Sequence, residues 1–164
     1  MSEIIIRQAE FTDLEQIAYV EASCFNSAEA ATKEEFADRL KHYKNHFWLM
    51  FIDDKLIAFT DGFVTNSHDL TDEMYAKAQM HDENGSWQMI FGINTLPEYR
   101  RKGYAAQLVQ KLVCQAKDQG RKGVVLTCKD SLVHYYEKFG FVNEGISRYS
   151  THGFAVWNQM RLVF

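Results

Sequence analysis

The stretch from residue 87 to residue 128 constrains the fold most, because a strand, a cationic turn, a helix and a second strand follow one another there. Residues 87–96 are a mostly apolar run, long enough for a buried central strand. Residues 105–116 repeat apolar side chains at helical spacing, and residues 123–128 form another apolar run. This order predicts a right-handed unit of two parallel strands joined by a helix, with ligands at the strand carboxyl ends.

The turn before this helix contains Arg100, Arg101 and Lys102, followed by Gly103. The first N–H groups of a helix have no partner within it, and the helix dipole adds positive charge at the same place. A glycine lets the backbone come close to a ligand. The turn therefore predicts a site for a phosphate-bearing ligand. Because basic helix starts with one glycine are common, the neighbouring elements have to support this interpretation.

The remaining chain predicts one folded unit with further strands and helices. The threonines of Thr12–Glu15 and Thr32–Glu35 are expected to cap helices that end near Glu21 and Tyr43. Residues 67–85 are predicted as a polar, partly helical insertion. Strands are expected over residues 4–9, over the hairpin 47–52 and 55–59 with an extension to about 66, and over 142–149 and 154–162.

Composition excludes several classes of protein. No apolar run is long enough to span a bilayer, and the start of the chain lacks the pattern of a secretory leader, so we expect a cytoplasmic protein and no membrane partner. The three cysteines, Cys24, Cys114 and Cys128, have no metal-type spacing and are expected to be reduced thiols. The chain has a net charge of −4, whereas a nucleic-acid binder normally has a broad basic face.

Two motifs resemble the GNAT superfamily of N-acetyltransferases. The first is Arg100-x-x-Gly103-x-Ala105, which is similar to the turn that wraps the CoA pyrophosphate in that family. The second is the segment 132–141, in which a short helix ends in an aromatic pair, two polar residues, an apolar residue, glycine and phenylalanine. The resemblance covers nearly the whole chain. It implies one domain, residues 1–164, of the α+β class, with a mixed sheet of about seven strands and about four helices.

The same resemblance implies an enzyme that transfers the acetyl group of acetyl-CoA, its cosubstrate, directly to an amine without a metal or an acyl-enzyme. Tyr136, the second aromatic of the pair, would lie beside the CoA sulfur and protonate the departing thiolate. The pantetheine arm would pair with Ile93, Asn94 and Thr95. The pyrophosphate would bind the N–H groups of Arg101, Lys102, Gly103, Tyr104, Ala105 and Ala106.

Within the superfamily, the segment 128–133 is most similar to the arylalkylamine (serotonin) N-acetyltransferase branch. That branch has two histidines on the long strand, where this chain has Met89 and Phe91. The histidine proton relay is therefore absent in that form, and the acceptor stays unnamed: a small amine or a peptide amine. The acceptor is expected at the segment 24–31, which includes Phe25, at the insertion, and near Thr127 and the last hairpin.

The base that deprotonates the amine is open at this point. Glu21 is the first candidate by its position at the end of the first helix, and His81, Asp82 and Glu83 in the insertion are the others. His42 and His46 stand four apart on a predicted helix, but no third metal ligand accompanies them, so they are interpreted as surface histidines. His68, His134 and His152 suggest no role.

Two other classes of function stay open. A non-catalytic domain that binds or senses acyl-CoA would keep the cationic turn and lose the chemistry, although the presence of Tyr136 argues against it. A dinucleotide-binding oxidoreductase would need a turn with three glycines, whereas this turn has Gly103 alone. A homodimer is compatible with the sequence and is not indicated by it.

Overall fold

A computed structural model describes residues 3–151, 153 and 155–164. The α+β class with a mixed arrangement of strands is confirmed, with nine strands and five α-helices in these residues. The strands are β1 (Ile4–Gln8), β2 (Phe47–Ile52), β3 (Lys55–Asp61), β4 (Val64–Thr65), β5 (Trp87–Ile90), β6 (Gly92–Thr95), β7 (Gly123–Cys128), β8 (Val142–Ile146) and β9 (Asn158–Val163). The helices are α1 (Leu14–Cys24), α2 (Lys33–Tyr43), α3 (Asp72–Ala76), α4 (Tyr104–Asp118) and α5 (Val133–Glu137).

The strands form two sheets, with the orders β1-β2-β3-β6 and β4-β5-β7-β9-β8. All pairings in the first sheet are antiparallel, and β5 pairs with β7 in parallel in the second. Helix α4 connects these two parallel strands and buries Leu108, Val109, Leu112 and Ala116. The predicted strand, helix and parallel strand are therefore confirmed.

The predicted long strand over residues 87–96 is divided at Phe91. β5 belongs to the second sheet, whereas β6 pairs with β3 in the first, and the N–H of Phe91 donates to the carbonyl of Asp61 at 2.8 Å. The predicted second hairpin strand is also divided: β3 ends at Asp61, and β4 pairs with β5 instead. These two breaks explain why the structure has more strands than the expected seven, and they separate the two sheets.

One predicted helix cap is confirmed and the other is wrong. Thr32 accepts from the N–H of Glu35 at 3.1 Å, and the Glu35 side chain accepts from the N–H of Thr32. Before α1, however, it is Asp13 that accepts from the N–H of Glu10 at 2.8 Å, at the 3-10 turn Phe11–Asp13, while its carboxylate also binds Arg7. Thr12 therefore lies in a 3-10 turn, and α1 runs from Leu14 to Cys24.

The last two strands differ from their predicted bounds. β8 ends at Ile146, and within it Gly145, with a φ of 97°, interrupts the pairing with β9 between Asn143 and Ile146. β9 begins at Asn158. The predicted strand start at Phe154, like His152, lies outside the described residues. No helix in the described part of the chain is long and apolar enough to cross a membrane.

Candidate active site

A cleft of about 580 Å³ opens where the two sheets separate. Its walls come from α1, the segment between α1 and α2, α2 itself, α3, the break between β5 and β6, the end of β7, and α5. Of the residues singled out in the sequence, those that line this cleft are Glu21, Cys24, Phe25, Phe91, Ile93, Thr127, Cys128 and Tyr136. The two predicted catalytic residues and both predicted acceptor residues therefore share one cavity.

Strand β6 offers a free backbone edge toward the second sheet. Its partner on one side is β3, and no strand of the described residues pairs with its other side. The N–H of Leu96 donates to the carbonyl of Ile57 at 2.9 Å. Because paired groups alternate along an antiparallel strand, Asn94 also faces β3, while Ile93 and Thr95 direct their backbone groups to the open edge. The carbonyl of Thr95 is already bound there by Nε of Arg100 and Sγ of Cys24, so its N–H and the groups of Ile93 are the ones left open. This edge can accept an extended ligand as an added strand.

The turn between β6 and α4 presents unpaired N–H groups. Arg101 and Gly103 both have left-handed backbone, with φ of 64° and 81°. Within the described residues, none of the N–H groups of residues 101–106 has a backbone or side-chain acceptor. We call these residues the anion-binding turn, after the role predicted from the sequence. Arg100 has another role, because its Nε donates to the carbonyl of Thr95 at 2.9 Å and so holds the end of β6.

Glu21 is a buried carboxylate on α1, with 6 % of its surface exposed. Its Oε2 accepts from the N–H of Ala31 at 2.8 Å, and its Oε1 accepts from Nδ2 of Asn94 at 3.1 Å. Burial raises the pKa of Glu21 to about 7 against the effect of these donors. At neutral pH this side chain can therefore both take and release a proton, which suits a general base.

Tyr136 lies on α5, and its ring packs against Tyr135 and Phe141 at centroid distances of 5.1 and 6.1 Å. Its hydroxyl has no hydrogen-bond partner among the described residues. Burial raises the pKa of this hydroxyl well above its usual value, so the group stays protonated at neutral pH. A rigidly packed phenol that borders the cleft with a free O–H is suited to donate a proton there.

The side of the cleft where the acceptor is predicted to bind contains an ion pair and two neutral hydroxyl groups. Glu29 pairs with Lys129 at 2.7 Å, and the hydroxyls of Tyr75 and Thr127 lie 3.3 Å apart. Phe91, which stands where the resembled branch has a histidine, packs on the ring of Tyr75 at a centroid distance of 4.8 Å. Met89, at the other histidine position, is fully buried in the core. Most of the insertion lies away from the cleft, which only its residues Asp72, Tyr75 and Ala76 line.

The alternative base candidates His81, Asp82 and Glu83 do not line the cleft. Glu83 binds Nε2 of His46 at 2.9 Å and Arg121 at 2.9 Å. The expectation that His46 is a surface residue is wrong, since it is fully buried after the end of α2.

His46, His81 and Glu83 lie close enough together to hold a metal ion. The donor set does not favour a metal, however. Nδ1 of His81 accepts from the N–H of Val64 at 3.1 Å, so the neutral ring carries its proton on Nε2, the nitrogen that faces Glu83. Arg121 already neutralises the carboxylate. We interpret the group as a structural cluster that ties the insertion to α2 and β7.

Acidification is expected to weaken this cluster. Burial raises the pKa of Glu83, but Asn45 and the two imidazoles outweigh that effect and lower it to about 2; burial lowers the pKa of His46 and His81. In all three groups the unfolded state binds more protons, so the stabilisation is complete above pH 6.5 and is lost as the pH falls, with the Glu83 part lost between about 4.5 and 2.

We therefore expect Glu83→Gln to lower the free energy of unfolding by about 1 to 2 kcal/mol at pH 7, with a smaller difference below pH 4.5. Urea unfolding at several pH values measures this. Glu73→Gln is the matched control, because Glu73 makes an exposed pair with Lys77 that contributes less than about 0.5 kcal/mol. A pH-independent effect of the Glu83 variant would contradict the assignment.

Sequence reasoning missed the buried pair of Arg39 and Asp61, whose nearest charged atoms are 3.1 Å apart and whose side chains are 3 % and 1 % exposed. The signal was available in part. Arg39 falls on the apolar face of α2 with Phe36, Leu40 and Tyr43, which are all buried. A charged residue on such a face needs a buried partner.

The model of the acetyltransferase (GNAT) family matches residues 10–141. The structure is similar to the loading GNATL domain of CurA from Lyngbya majuscula, with a TM-score of 0.86, 15% identity and 98% of each chain covered. It is similar to the GphF GNAT-like decarboxylase in complex with isobutyryl-CoA, with a TM-score of 0.83, 18% identity and coverage of 97% of this chain and 98% of that one. The ribosomal-protein-S18-alanine N-acetyltransferase from Escherichia coli gives a TM-score of 0.74 and 20% identity over 98% of this chain and 94% of that one. The family match spans the helix of the predicted base, the anion-binding turn and the aromatic pair, and the chain belongs to the GNAT acetyltransferase family.

Proposed function

We propose that residues 1–164 form one N-acetyltransferase domain that transfers the acetyl group of acetyl-CoA directly to a primary amine within a ternary complex. The observation that carries this proposal is that Glu21 and Tyr136 line the same cleft as Ile93 of the open β6 edge. A buried carboxylate with a pKa near neutrality and a protonated phenol are the two groups that an acyl transfer to an amine needs.

The described residues fit acetyl-CoA. The N–H groups of the anion-binding turn are free to bind the pyrophosphate, and the exposed side chains of Arg101 and Lys102 add positive charge there. Ile93 and Thr95 would pair with the pantetheine arm. Asn94 belongs to the proposed site in another way, because its side chain binds Glu21 rather than the ligand.

The mechanism follows from the two titratable groups. Acetyl-CoA supplies a thioester carbonyl that a neutral amine can attack. An alkylamine has a pKa of about 10, so it arrives protonated and has to lose a proton at the site. Glu21 takes that proton as its ionised carboxylate. Attack by the neutral amine leaves one surplus proton on the bonded nitrogen. Tyr136 donates its hydroxyl proton to the departing sulfur and regains a proton from that nitrogen through solvent, and Glu21 releases its proton to solvent when the products leave.

The acceptor proposed here is a small amine or a peptide amine. Met89 and Phe91 weaken the prediction of an arylalkylamine acceptor, since neither side chain can relay a proton. Glu35, which lines the cleft together with Glu21, favours a cationic substrate. A cytoplasmic location stays a prediction from the sequence.

The direct experiment follows the release of free CoA thiol from acetyl-CoA with a panel of arylalkylamines, polyamines and peptide amines. Thiol release that depends on the amine, together with an acetylated product in the mass spectrum, supports the proposal. Tight binding of acetyl-CoA without turnover of any amine would favour an acyl-CoA sensor instead. The thiol readout does not respond to loss of CO2 from an acyl-CoA, so a decarboxylase activity cannot imitate the result.

Gly103→Val is expected to raise the dissociation constant of acetyl-CoA about tenfold or more, equivalent to roughly 1.4 kcal/mol. A Cβ at Gly103 would meet no protein atom within 4 Å, so packing does not require a glycine there. Glycine instead permits the left-handed backbone and leaves room for a ligand to approach it. Isothermal titration calorimetry measures the change.

The matched control is Gly120→Val at the other end of α4. Gly120 also has left-handed backbone, with a φ of 77°, and its Cβ would also meet open space. Both variants therefore carry similar backbone strain, and both should lose stability. Unchanged affinity in the Gly103 variant, or equal losses of affinity in both, would remove the pyrophosphate from this turn.

A further inference from the structure

Gly92 lines the cleft at the start of β6, and its backbone conformation does not require a glycine at this position. All nine glycines belong to the described residues, and Gly92 alone combines ordinary backbone with a Cβ position free of contacts below 3.0 Å. Of the others, five have positive φ and three would drive a Cβ into backbone atoms. Neither strain nor packing against backbone requires the missing side chain.

The place that a Cβ would take at Gly92 is surrounded by polar atoms from three elements. Nδ2 of Asn94 lies 3.3 Å from it, Oδ1 of Asp61 3.6 Å and Oε1 of Glu21 3.7 Å. Asn94 gives one of its two amide hydrogens to Glu21, so the other is free. Oδ1 of Asp61 is buried and has no hydrogen-bond partner among the described residues.

One donor and two acceptors around a small space suit a water molecule, which can accept from Asn94 and donate to both carboxylates. The other oxygen of Asp61 is held by Arg39 at 3.1 Å, and Arg39 also donates to the carbonyl of Tyr75 at 2.8 Å. Asp61 is therefore oriented with Oδ1 toward Gly92. A buried ion pair is weak evidence for a stabilising role, and this one lies close enough to Glu21 to act on its charge.

We propose that Glu21 and Asp61 form a coupled carboxylate pair, bridged by a water molecule beside Gly92, in which Asp61 positions the base of the reaction proposed above. Glu21 breaks the N–H bond of the ammonium and keeps the proton until the product leaves. The water donates one hydrogen bond to each carboxylate and neither gains nor loses a proton. The inference rests on the proposed function for its meaning, and Asp61 does not touch the substrate.

Charged and titratable groups approach Glu21 from several elements, and two of them, Asp61 and Arg39, affect its titration. Arg39 and Glu35 belong to α2, Asp61 belongs to β3, and Cys24 follows on α1. The charge of Asp61 raises the proton affinity of Glu21, and that of Arg39 lowers it. The bridging water stabilises the ionised form of Glu21, because it donates to that carboxylate.

The experiment follows the Glu21 carboxyl by ¹³C NMR across pH, together with the pH dependence of kcat/KM, in variants at Gly92 and Asp61. Gly92→Ala displaces the water, so the Glu21 titration should move up by about one pH unit and kcat should fall about tenfold, with the KM for acetyl-CoA unchanged. Gly92→Ser is the matched variant: it adds similar bulk, but its hydroxyl can accept from Asn94 and donate to a carboxylate. It should restore at least about half of the shift and of the lost rate.

Asp61→Asn should move the Glu21 titration down by about one pH unit, because a like charge is lost and Arg39 is left unpaired. If this variant fails to fold, the two Gly92 variants still decide. A titration unchanged in Gly92→Ala, or identical behaviour of the alanine and serine variants, would overturn the bridge. These titrations need no turnover: a parent protein inactive toward every amine refutes the proposed function, while the NMR result still tests the pair.

Discussion

Glu21→Gln is expected to lower kcat/KM for the acetylation of a protonated amine by about 10²- to 10⁴-fold, the usual contribution of a positioned general base. The reason lies in the environment of this carboxylate. Helix α1 places it at the cleft, burial raises its pKa to about 7, and its two donors fix its orientation. An amide at the same position cannot take a proton from the substrate.

The pH dependence of kcat/KM tests the same role of Glu21 as the general base. The base acts only when ionised, so kcat/KM of the parent enzyme should rise with pH through about 7, the pKa of Glu21. It should stay high until the amine loses its own proton near pH 10. The Gln variant should lack the rise near pH 7 and depend instead on the small fraction of neutral amine, increasing up to the pKa of that amine.

The Gln variant should fold and bind acetyl-CoA normally. Its amide oxygen can accept from Ala31, and its NH2 group can face Asn94 once that side chain turns over, because Oδ1 of Asn94 has no partner among the described residues. Glu29→Gln is the matched control, since Glu29 also lines the cleft and is already paired with Lys129. A Glu21 variant with parental kinetics, or a larger loss in the Glu29 variant, would refute the role of Glu21 as base.

The parts of the site that depend on local sequence could be predicted. The anion-binding turn and α4 are encoded by cationic residues, a glycine and a helical apolar repeat within one short stretch, so they needed no knowledge of distant contacts. The Thr32–Glu35 cap is local in the same sense. The Thr12–Glu15 prediction failed because Asp13, bound to Arg7 of β1, forms the cap with the N–H of Glu10, two residues before Thr12.

The break between β5 and β6 could not be predicted from residues 87–96. A strand that is buried on both faces reads as a continuous apolar run, and Phe91 continues that run. Gly92, which follows, signals a bulge or a bend but does not show that the strand changes sheets. What divides the strand is distant in sequence: Asp61 accepts from the N–H of Phe91, and each half joins a different sheet. The free edge of β6 therefore follows from tertiary structure.

The pairing of Arg39 with Asp61 has the same origin. Each residue is conspicuous alone, as a charge on a buried helix face or at the end of an apolar strand, but nothing in a single sequence joins them. The pKa of Glu21 follows from this packing, because burial is its main cause and both charges contribute. The sequence could propose Glu21 by position, whereas its fitness as a base emerges only from the fold.

Tyr136→Phe is expected to lower kcat for acetyl transfer by about 10²-fold or more while the dissociation constant of acetyl-CoA changes by less than about threefold. The phenylalanine ring keeps the contacts with Tyr135 and Phe141, and the lost hydroxyl leaves no protein group unpaired, so the fold should be unaffected. Stopped thiol-release assays and calorimetry separate the two quantities. Tyr135→Phe is the matched control, because Tyr135 does not line the cleft.

The role of Tyr136 as a general acid also predicts how kcat depends on pH. A general acid has to be protonated, and burial raises the pKa of this hydroxyl well above its ordinary value, so the parent enzyme should show no loss of kcat from this group up to pH 9.5. A descending limb that disappears in Tyr136→Phe would mean that the phenol ionises earlier than its burial allows. Equal rates for the variant and the parent would transfer the protonation of the sulfur to solvent, and the domain would then keep Glu21 as its one chemical group in the reaction.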